Sequence, residues 1–191
     1  MVGVVVLAAG ASRRLPGPKQ LLRYRGVTLV RRAAQTAVAA ACGPVVVVLS
    51  ESTAPLRFEL ADIGVRIVEN RQAARGLSTS VRAGLDALCE AGEPDAALFV
   101  ACDQPLLTAE VLQEVVAAYV KTGRQAVACA YAGTFGVPAL FARTLFGELR
   151  SLEGDQGAKS VLQGHAGEVL RVAFEPGAMD IDTPEDAAGL T

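Results

Sequence analysis

The residues able to do chemistry begin where an apolar run gives way to cations. Val2 to Leu7 is apolar and rich in valine, and it breaks into Ala8-Ala9-Gly10-Ala11-Ser12-Arg13-Arg14-Leu15-Pro16-Gly17-Pro18-Lys19. The small residues that come first carry little bulk, so backbone amides there can approach a bound group closely. Arg13, Arg14 and Lys19 then add fixed positive charge. Small backbone followed by cations at the carboxyl end of a strand suits a polyphosphate. Composition alone also allows a plain strand exit with solvated charges. Neither familiar phosphate loop is present. Gly10 and Gly17 lack the G-x-G-x-x-G spacing, and there is no G-x-x-x-x-G-K-[ST].

A second apolar run, Ala96 to Ala101, ends in Cys102-Asp103-Gln104-Pro105. A carboxylate at the end of a strand beside a cationic phosphate loop suits Mg²⁺, which is usually held by one or two carboxylates plus substrate phosphates. A turn or cap is the plainer role for Asp103. Gly76, followed by Ser78 and Ser80, marks a helix start whose amides and hydroxyls can bind a ligand; a simple capped helix is the plainer reading. Gly154 and Gly157 mark a turn, and Gly157 opens a helix whose amides suit an anion. Thr183-x-x-Asp186 is a capping box with Pro184 at the first helical position, which predicts a short helix. The cap does not account for Asp180 and Asp182, which flank Ile181.

These groups need a scaffold. Apolar positions at Leu29, Val30, Ala33, Ala34, Ala37, Val38 and Ala41 fall on one helical face, and Gly43-Pro44 ends that helix. Val45 to Leu49 reads as a buried strand. A weaker helix around Leu56 to Leu60 leads to a strand at Val65 to Val68. Leu77, Val81, Leu85 and Leu88 form the inward face of the next helix. After Ala96 to Ala101, Thr108 caps a helix with core face Val111, Leu112, Val115, Val116, Tyr119 and Val120, and a strand follows at Ala126 to Ala130. Alternating apolar strands and amphipathic helices predict a mostly parallel, helix-covered sheet, with ligands outside the carboxyl ends of its strands.

With 191 residues the chain holds one substantial core and is short for two, so residues 1–191 are read as a single domain. Hydrophobic residues make up 51%, yet the apolar runs are far below membrane-spanning length and no basic-led signal region precedes the first. A soluble, cytoplasmic protein with no membrane partner is expected. The formal net charge of -2 gives no general attraction for nucleic acid, so anion binding has to be local. Cys42, Cys89, Cys102 and Cys129 contain no C-x-x-C pair, which argues against zinc and, in a cytosolic chain, against disulfides. His165, the single histidine, lies among glycines and reads as a surface residue. No Ser-His-Asp or Cys-His scheme can be built around it.

L-A-A-G-x-S-x-R, with Lys19 following Arg14 after four residues, resembles the nucleotide-binding signature of the MobA-like nucleotidyltransferases. Within that family it is most similar to the molybdenum cofactor cytidylyltransferases. Pro16 stands where glycine is usual, but the Arg14–Lys19 spacing is kept. Asn70, Gly76, Ser80 and Arg82 match a segment that in relatives helps hold base and ribose; the tryptophan often found before that glycine is absent. Asp103 matches the metal aspartate of a D-Q-P turn, with Cys102 replacing a small residue. Gly136-Val137-Pro138 resembles a G-x-P motif whose middle residue is frequently histidine. Gly154-Asp155-Gln156-Gly157-Ala158-Lys159 resembles G-D-x-G-A-R, a region that opens toward the acceptor; Lys159 keeps the charge but loses the planar fork of arginine. The D-I-D-T-P-E-D ending resembles the one that completes the family's metal site, favouring Asp182 over Asp180 as the ligand.

The resemblance implies a single-domain, three-layer α/β/α fold around a Rossmann-like sheet, of the nucleotide-diphospho-sugar transferase type. It also implies Mg²⁺-dependent nucleotidyl transfer. Leu7, Ala8, Ala9, Gly10, Ser12, Arg14, Lys19, Asn70, Gly76 and Ser80 would bind the nucleotide, and Arg14, Lys19 and Asp103 would form the catalytic set. Asp103 and Asp182 would hold the metal, and Gly136, Pro138, Gly154, Asp155 and Lys159 would face the acceptor. Ala9 stands where guanylyl-transferring relatives have a second glycine, which points to CTP rather than GTP. The implied acceptor is a molybdopterin-type phosphate, with a molybdoenzyme as recipient of the product. A guanylyltransferase, a cytidylyltransferase for another small phosphate, and a non-catalytic nucleotide-binding cofactor chaperone stay open as alternatives. A nicotinamide-dependent dehydrogenase lacks its glycine fingerprint here.

Overall fold

The computed structural model describes residues 1–12, 14–15, 17–50 and 54–188. Arg13 and Pro16 of the cationic loop lie outside the described residues. In chain order the elements are β1 (Val2–Ala8), a hairpin of β2 (Arg23–Tyr24) and β3 (Val27–Thr28), α1 (Leu29–Ala39), β4 (Val45–Ser50), α2 (Ala54–Leu60), β5 (Arg66–Asn70), α3 (Leu77–Ala91) and β6 (Ala96–Ala101). Then come α4 (Ala109–Thr122), β7 (Ala126–Tyr131), β8 (Thr134–Ala142), α5 (Phe146–Ser151), α6 (Ala158–Gly164), β9 (Leu170–Ala173) and α7 (Pro184–Ala188).

Seven strands form one sheet in the order β5-β4-β1-β6-β8-β7-β9. All run parallel except β8, which pairs antiparallel with both β6 and β7. The valine runs show little polar alternation because helices cover both faces. From β1, Val4, Val6 and Ala8 pack with Val30 and Ala34 of α1, Leu56 of α2 and Leu112 of α4. Val5 points the other way, with Val81 and Leu85 of α3, Leu149 of α5 and Leu162 of α6. The result is a mostly parallel central sheet between two helical layers. Among the described residues no helix is long and apolar enough to cross a membrane.

The strand order places the cationic loop. From β1 the chain passes through α1 to β4 on one side, and after β5 it crosses over through α3 to β6 on the other side. The carboxyl ends of β1 and β6 therefore flank a topological switch point, where such sheets leave a crevice for ligands. Asp103 follows β6 by two residues and Ala9 follows β1 directly.

Four apolar positions assigned to inward faces lie elsewhere, among them Ala41, which is exposed and beyond the end of α1. Val38 of α1 is 40% exposed, Val120 of α4 is 73% exposed, and Leu77 of α3 is 41% exposed and lines a cavity described below. The α1 helix also stops before its expected glycine, because Ala41 itself adopts a left-handed conformation (φ 52°). Thr108 has extended N-cap geometry at α4 without a side-chain capping bond. Strands β8 and β9 and helix α5 have no counterpart among the elements expected from the pattern.

Helix α3 lies close against the sheet at Gly84. A Cβ there would sit 2.3 Å from Cγ1 of Val5 and 3.0 Å from Cγ2 of Val48. Both valines are buried and stiff about χ1, so they cannot swing aside. Alanine would gain about 1 kcal/mol of helix propensity over glycine, but overpacking costs about 1–3 kcal/mol. We expect Gly84→Ala to lower stability in urea-induced unfolding. Unchanged or higher stability would mean the α3–sheet spacing is looser than described.

Candidate active site

The loop after β1 is folded back by its own side chains. Gln20 is 2% exposed and sits on a 3₁₀ turn at Lys19–Leu21. Its Nε2 donates to the carbonyls of Ala8 (2.9 Å) and Gly10 (2.8 Å). The Lys19 amide donates to Ser12 Oγ at 2.6 Å. The two Gln20 bonds give the carbonyls of Ala8 and Gly10 a partner where the chain leaves the strand, and with the Ser12 bond they return Lys19 to the end of β1.

The ammonium of Lys19 donates to Asp103 Oδ2 at 2.5 Å and to Asp182 Oδ1 at 2.7 Å. Arg14 Nη2 lies 3.3 Å from the other oxygen of Asp182. Each partner is fixed by backbone. The amide of Cys102, next to Asp103, donates to the Leu7 carbonyl (3.3 Å), and Arg32 Nε donates to the Pro105 carbonyl (2.5 Å). The Ile181 amide donates to the Asp103 carbonyl (3.1 Å), and the fully buried Ile181 packs with Leu29. Burial of Ile181 turns its two acidic neighbours outward, and Asp182 is the one that meets Lys19. Burial lowers the Lys19 pKa, but the charge of Asp103 and the hydrogen bonds to both carboxylates outweigh it and hold the ammonium above its ordinary range. Burial first, then the charges of Asp103 and Asp182, raise Asp180. Burial and the charge of Asp103 push the Cys102 thiol up, which makes it a poor nucleophile.

Beside this cluster lies a cavity of about 690 Å³. Of the predicted site residues it brings together Leu7, Ala9, Gly10, Lys19, Gly76, Ser80, Asp103, Gly136, Asp155 and Lys159. Gly76 (φ 117°) joins two of its walls, since a Cβ there would stand 2.1 Å from the Gly154 carbonyl oxygen, which accepts the Ser78 amide at 3.1 Å. Arg82 adds a bond to the Leu152 carbonyl (3.0 Å). Leu77, Val137 and Tyr131 make part of the lining apolar.

The other predicted residues are placed differently. Ala8 is fully buried on the α1 side of β1. Ser12 lines a second recess of about 400 Å³. Asn70 is buried and its amide is fully engaged: Nδ2 donates to Thr79 Oγ1 (2.8 Å) and Ser80 Oγ (2.9 Å), and Oδ1 accepts from the Gln72 amide (2.9 Å). Together with the Ser78–Gly154 bond, this engages part of the start of α3 and leaves Ser80 on the cavity wall. Pro138 is buried and does not line the cavity, whereas Val137 does. Gln20 and Gln104 are not in the predicted set. Gln104 donates to the carbonyls of Val137 (3.1 Å) and Gly177 (3.0 Å), and Tyr131 also donates to Val137 (3.0 Å). The signal for both glutamines is a long amide set directly after a charged site residue and before apolar chain. His165 pairs with Glu148 (2.9 Å) at the surface.

The donor set fits a hard divalent cation. Two carboxylates already converge on one positive charge, and oxygen-only coordination suits Mg²⁺ or Mn²⁺. Among the described residues no group of three or more His, Cys, Asp and Glu side chains could hold a metal. A metal here would need further oxygen ligands from water or phosphate.

A family model for the MobA-like NTP transferase domain matches residues 4–169. The chain belongs to the MobA-like NTP transferase family. Membership makes it a nucleotidyltransferase by family, with a nucleoside triphosphate as the expected donor class. Purine catabolism protein PucB of Bacillus subtilis (strain 168) is 29% identical over 192 residues, covering 95% of this chain and 92% of PucB. Nicotine blue oxidoreductase of Paenarthrobacter nicotinovorans is 43% identical over 81 residues, or 42% of this chain and 40% of that protein. The crystal structure of Rv0371c from Mycobacterium tuberculosis H37Rv superposes with a TM-score of 0.84 at 29% identity, covering 99% of this chain and 96% of that one. Rv0371c in complex with manganese gives 0.77, also at 29% identity, covering 99% and 97%.

The capping box of this MobA-like chain also supports Asp182. Asp186 accepts from the amides of Asp182 (3.1 Å) and Thr183 (2.8 Å) and from the Thr183 hydroxyl (2.9 Å). These bonds hold its carboxyl below the usual aspartate range. A folded-state pKa below the unfolded one gives stability that is present above about pH 3.9 and is lost as pH falls through the folded value. We expect carboxyl NMR to show Asp186 titrating below a free aspartate. Asp186→Ala should speed amide exchange over residues 182–188 while leaving the sheet protected. Normal titration, or loss of protection throughout, would contradict this local role.

Proposed function

We propose that this chain catalyses nucleotidyl transfer from a nucleoside triphosphate to a phosphorylated small acceptor, releasing pyrophosphate. The observation that carries the reading is the meeting of Asp103 and Asp182 on Lys19, with Lys19 and Asp103 lining a switch-point cavity of about 690 Å³. Lys19 and Arg14 bind the triphosphate and neutralise charge as the leaving pyrophosphate forms. Asp103 and Asp182 hold Mg²⁺ or a similar divalent cation, which when bound supplies further neutralisation of the phosphates. An oxygen of the acceptor phosphate attacks the α-phosphorus, and the bond to the β-phosphate oxygen breaks. The acceptor is already ionised at neutral pH, so positioning replaces a strong general base. Gly136, Asp155 and Lys159 line the acceptor side of the cavity, and Lys159 supplies positive charge for the acceptor phosphate.

We assign CTP as donor on Ala9, in the place where a second glycine marks guanylyl transfer, and a molybdopterin-type phosphate as acceptor. GTP, or another small phosphate, is the runner-up within the same chemistry. A molybdoenzyme is the proposed recipient of the product, and the cytoplasm the proposed location. The name of the nicotine blue oxidoreductase favours a redox reading, but the match spans 81 residues. Hydride transfer gives no role to paired carboxylates on a lysine. A non-catalytic carrier would equally leave that pair unexplained.

The test is pyrophosphate release from each of the four ribonucleoside triphosphates, with Mg²⁺ and molybdopterin. We expect release with CTP, and a loss of about a hundredfold or more in Asp103→Ala and Asp182→Ala. Release with GTP would keep the mechanism and reverse the meaning of Ala9. A loss well under tenfold in Asp103→Ala would remove Asp103 from the chemistry, and tight NADH binding without pyrophosphate release would revive the redox reading.

A further inference from the structure

The position of Lys19 has a consequence for the order of binding. Its ammonium stands between the same two carboxylate oxygens that a metal would use, at 2.5 and 2.7 Å. Lys19 (12% exposed) and Asp103 (18%) are largely packed away from solvent, while Asp182 is more open at 39%. Two cations cannot share that point, because charges a few ångströms apart in a partly desolvated site repel strongly. Nor can the ammonium leave without another anion to receive it, since a buried cation stripped of its partner is costly. Nucleotide phosphates are such an anion, and Arg14, 65% exposed on the same Asp182, can follow.

We propose that Lys19 is an exchangeable internal cation: it fills the carboxylate pair in the free protein, and metal enters only as nucleotide phosphates draw the ammonium away. This inference rests on the metal-dependent reading above. Metal and nucleotide then bind with positive coupling through one side chain, and free metal does not accumulate at the site ahead of substrate.

The test is Mn²⁺ binding followed by the electron paramagnetic resonance signal of free Mn²⁺, without nucleotide, in wild type, Lys19→Met, Lys19→Gln and Arg14→Met. Vacating the pair should tighten Mn²⁺ binding by about tenfold or more in both Lys19 variants, in line with the effect of removing a charge in direct contact. Arg14→Met should change it much less, which separates exchange at the site from general charge loss. Equal binding in wild type and the Lys19 variants, or an equal gain in Arg14→Met, would overturn the proposal. Mn²⁺ binding to wild type with CTP or GTP analogues but no gain in the Lys19 variants would overturn this inference and leave nucleotidyl transfer standing. No Mn²⁺ binding under any of these conditions would overturn both. Should neither Lys19 variant fold, the wild type decides through its lysine ammonium resonances, since the chain has only Lys19, Lys121 and Lys159. One slowly exchanging ammonium that persists in chelator and is released by Mg²⁺ with a nucleotide analogue supports exchange. No protected ammonium in chelator overturns it.

Discussion

Two carboxylates, from Asp103 and Asp182, are held on a single ammonium, and much of the fold around the cavity serves that arrangement. Like charges converging on one point would repel each other apart without the cation. The partners lie 84 and 163 residues from Lys19 along the chain, so only tertiary structure can bring them together. Each comes with its own restraint. Gln20 and Ser12 return Lys19 to the end of β1, the Leu7 and Pro105 carbonyls anchor the turn of Asp103, and Ile181 with the Asp186 cap fixes Asp182.

The sheet supplies the setting in which those restraints work. Strand β1 lies between β4 and β6, so its exit loop opens where the crossovers diverge. Helix α3 then has to approach closely to form the far wall. Gly84 lets it lie on Val5 and Val48, and Gly76 lets its first turn meet the backbone at Gly154. The cavity is thus bounded by backbone contacts as much as by side chains, which suits a rigid, preformed site.

What the sequence made legible follows from which forces act locally. β1, β4 and β6 are apolar runs because they are buried on both faces, and Asp103 stands out because it comes two residues after one of them. The capping box at Thr183 is a short-range pattern and is found as read. Helical periodicity identified α3 and α4 but could not tell a core position from a cavity wall or a solvent-facing one, hence Leu77 and Val120. Strand β8 was hidden by Pro138, which argues against a strand interior. Opposite it, the β7 register shifts between Ala128 and Cys129, pairing Ala128 with Ala139 and Cys129 with Gly136, so Val137 and Pro138 fall in a bulge where the missing amide costs no ladder bond. Choosing Asp182 over Asp180 depended on which neighbour of Ile181 faces Lys19, a tertiary fact. Asn70 shows the reverse: its place in a motif was clear, but its amide is engaged with Thr79, Ser80 and Gln72.

The remaining feature is the kind of charge this site uses. The single histidine is at the surface with Glu148, away from Lys19 and its carboxylates. Lys19 is held above its ordinary pKa, and the Cys102 thiol is pushed up by burial and by Asp103. The ammonium on the carboxylates therefore stays protonated near neutral pH, and the nearest thiol stays neutral. Such a site is poorly suited to shuttling protons and well suited to holding polyanions whose charge shifts during reaction. Phosphoryl chemistry with an already ionised nucleophile needs the second property and not the first. The side chains that surround Lys19 thus favour a transfer driven by position and fixed charge over acid–base or thiol catalysis.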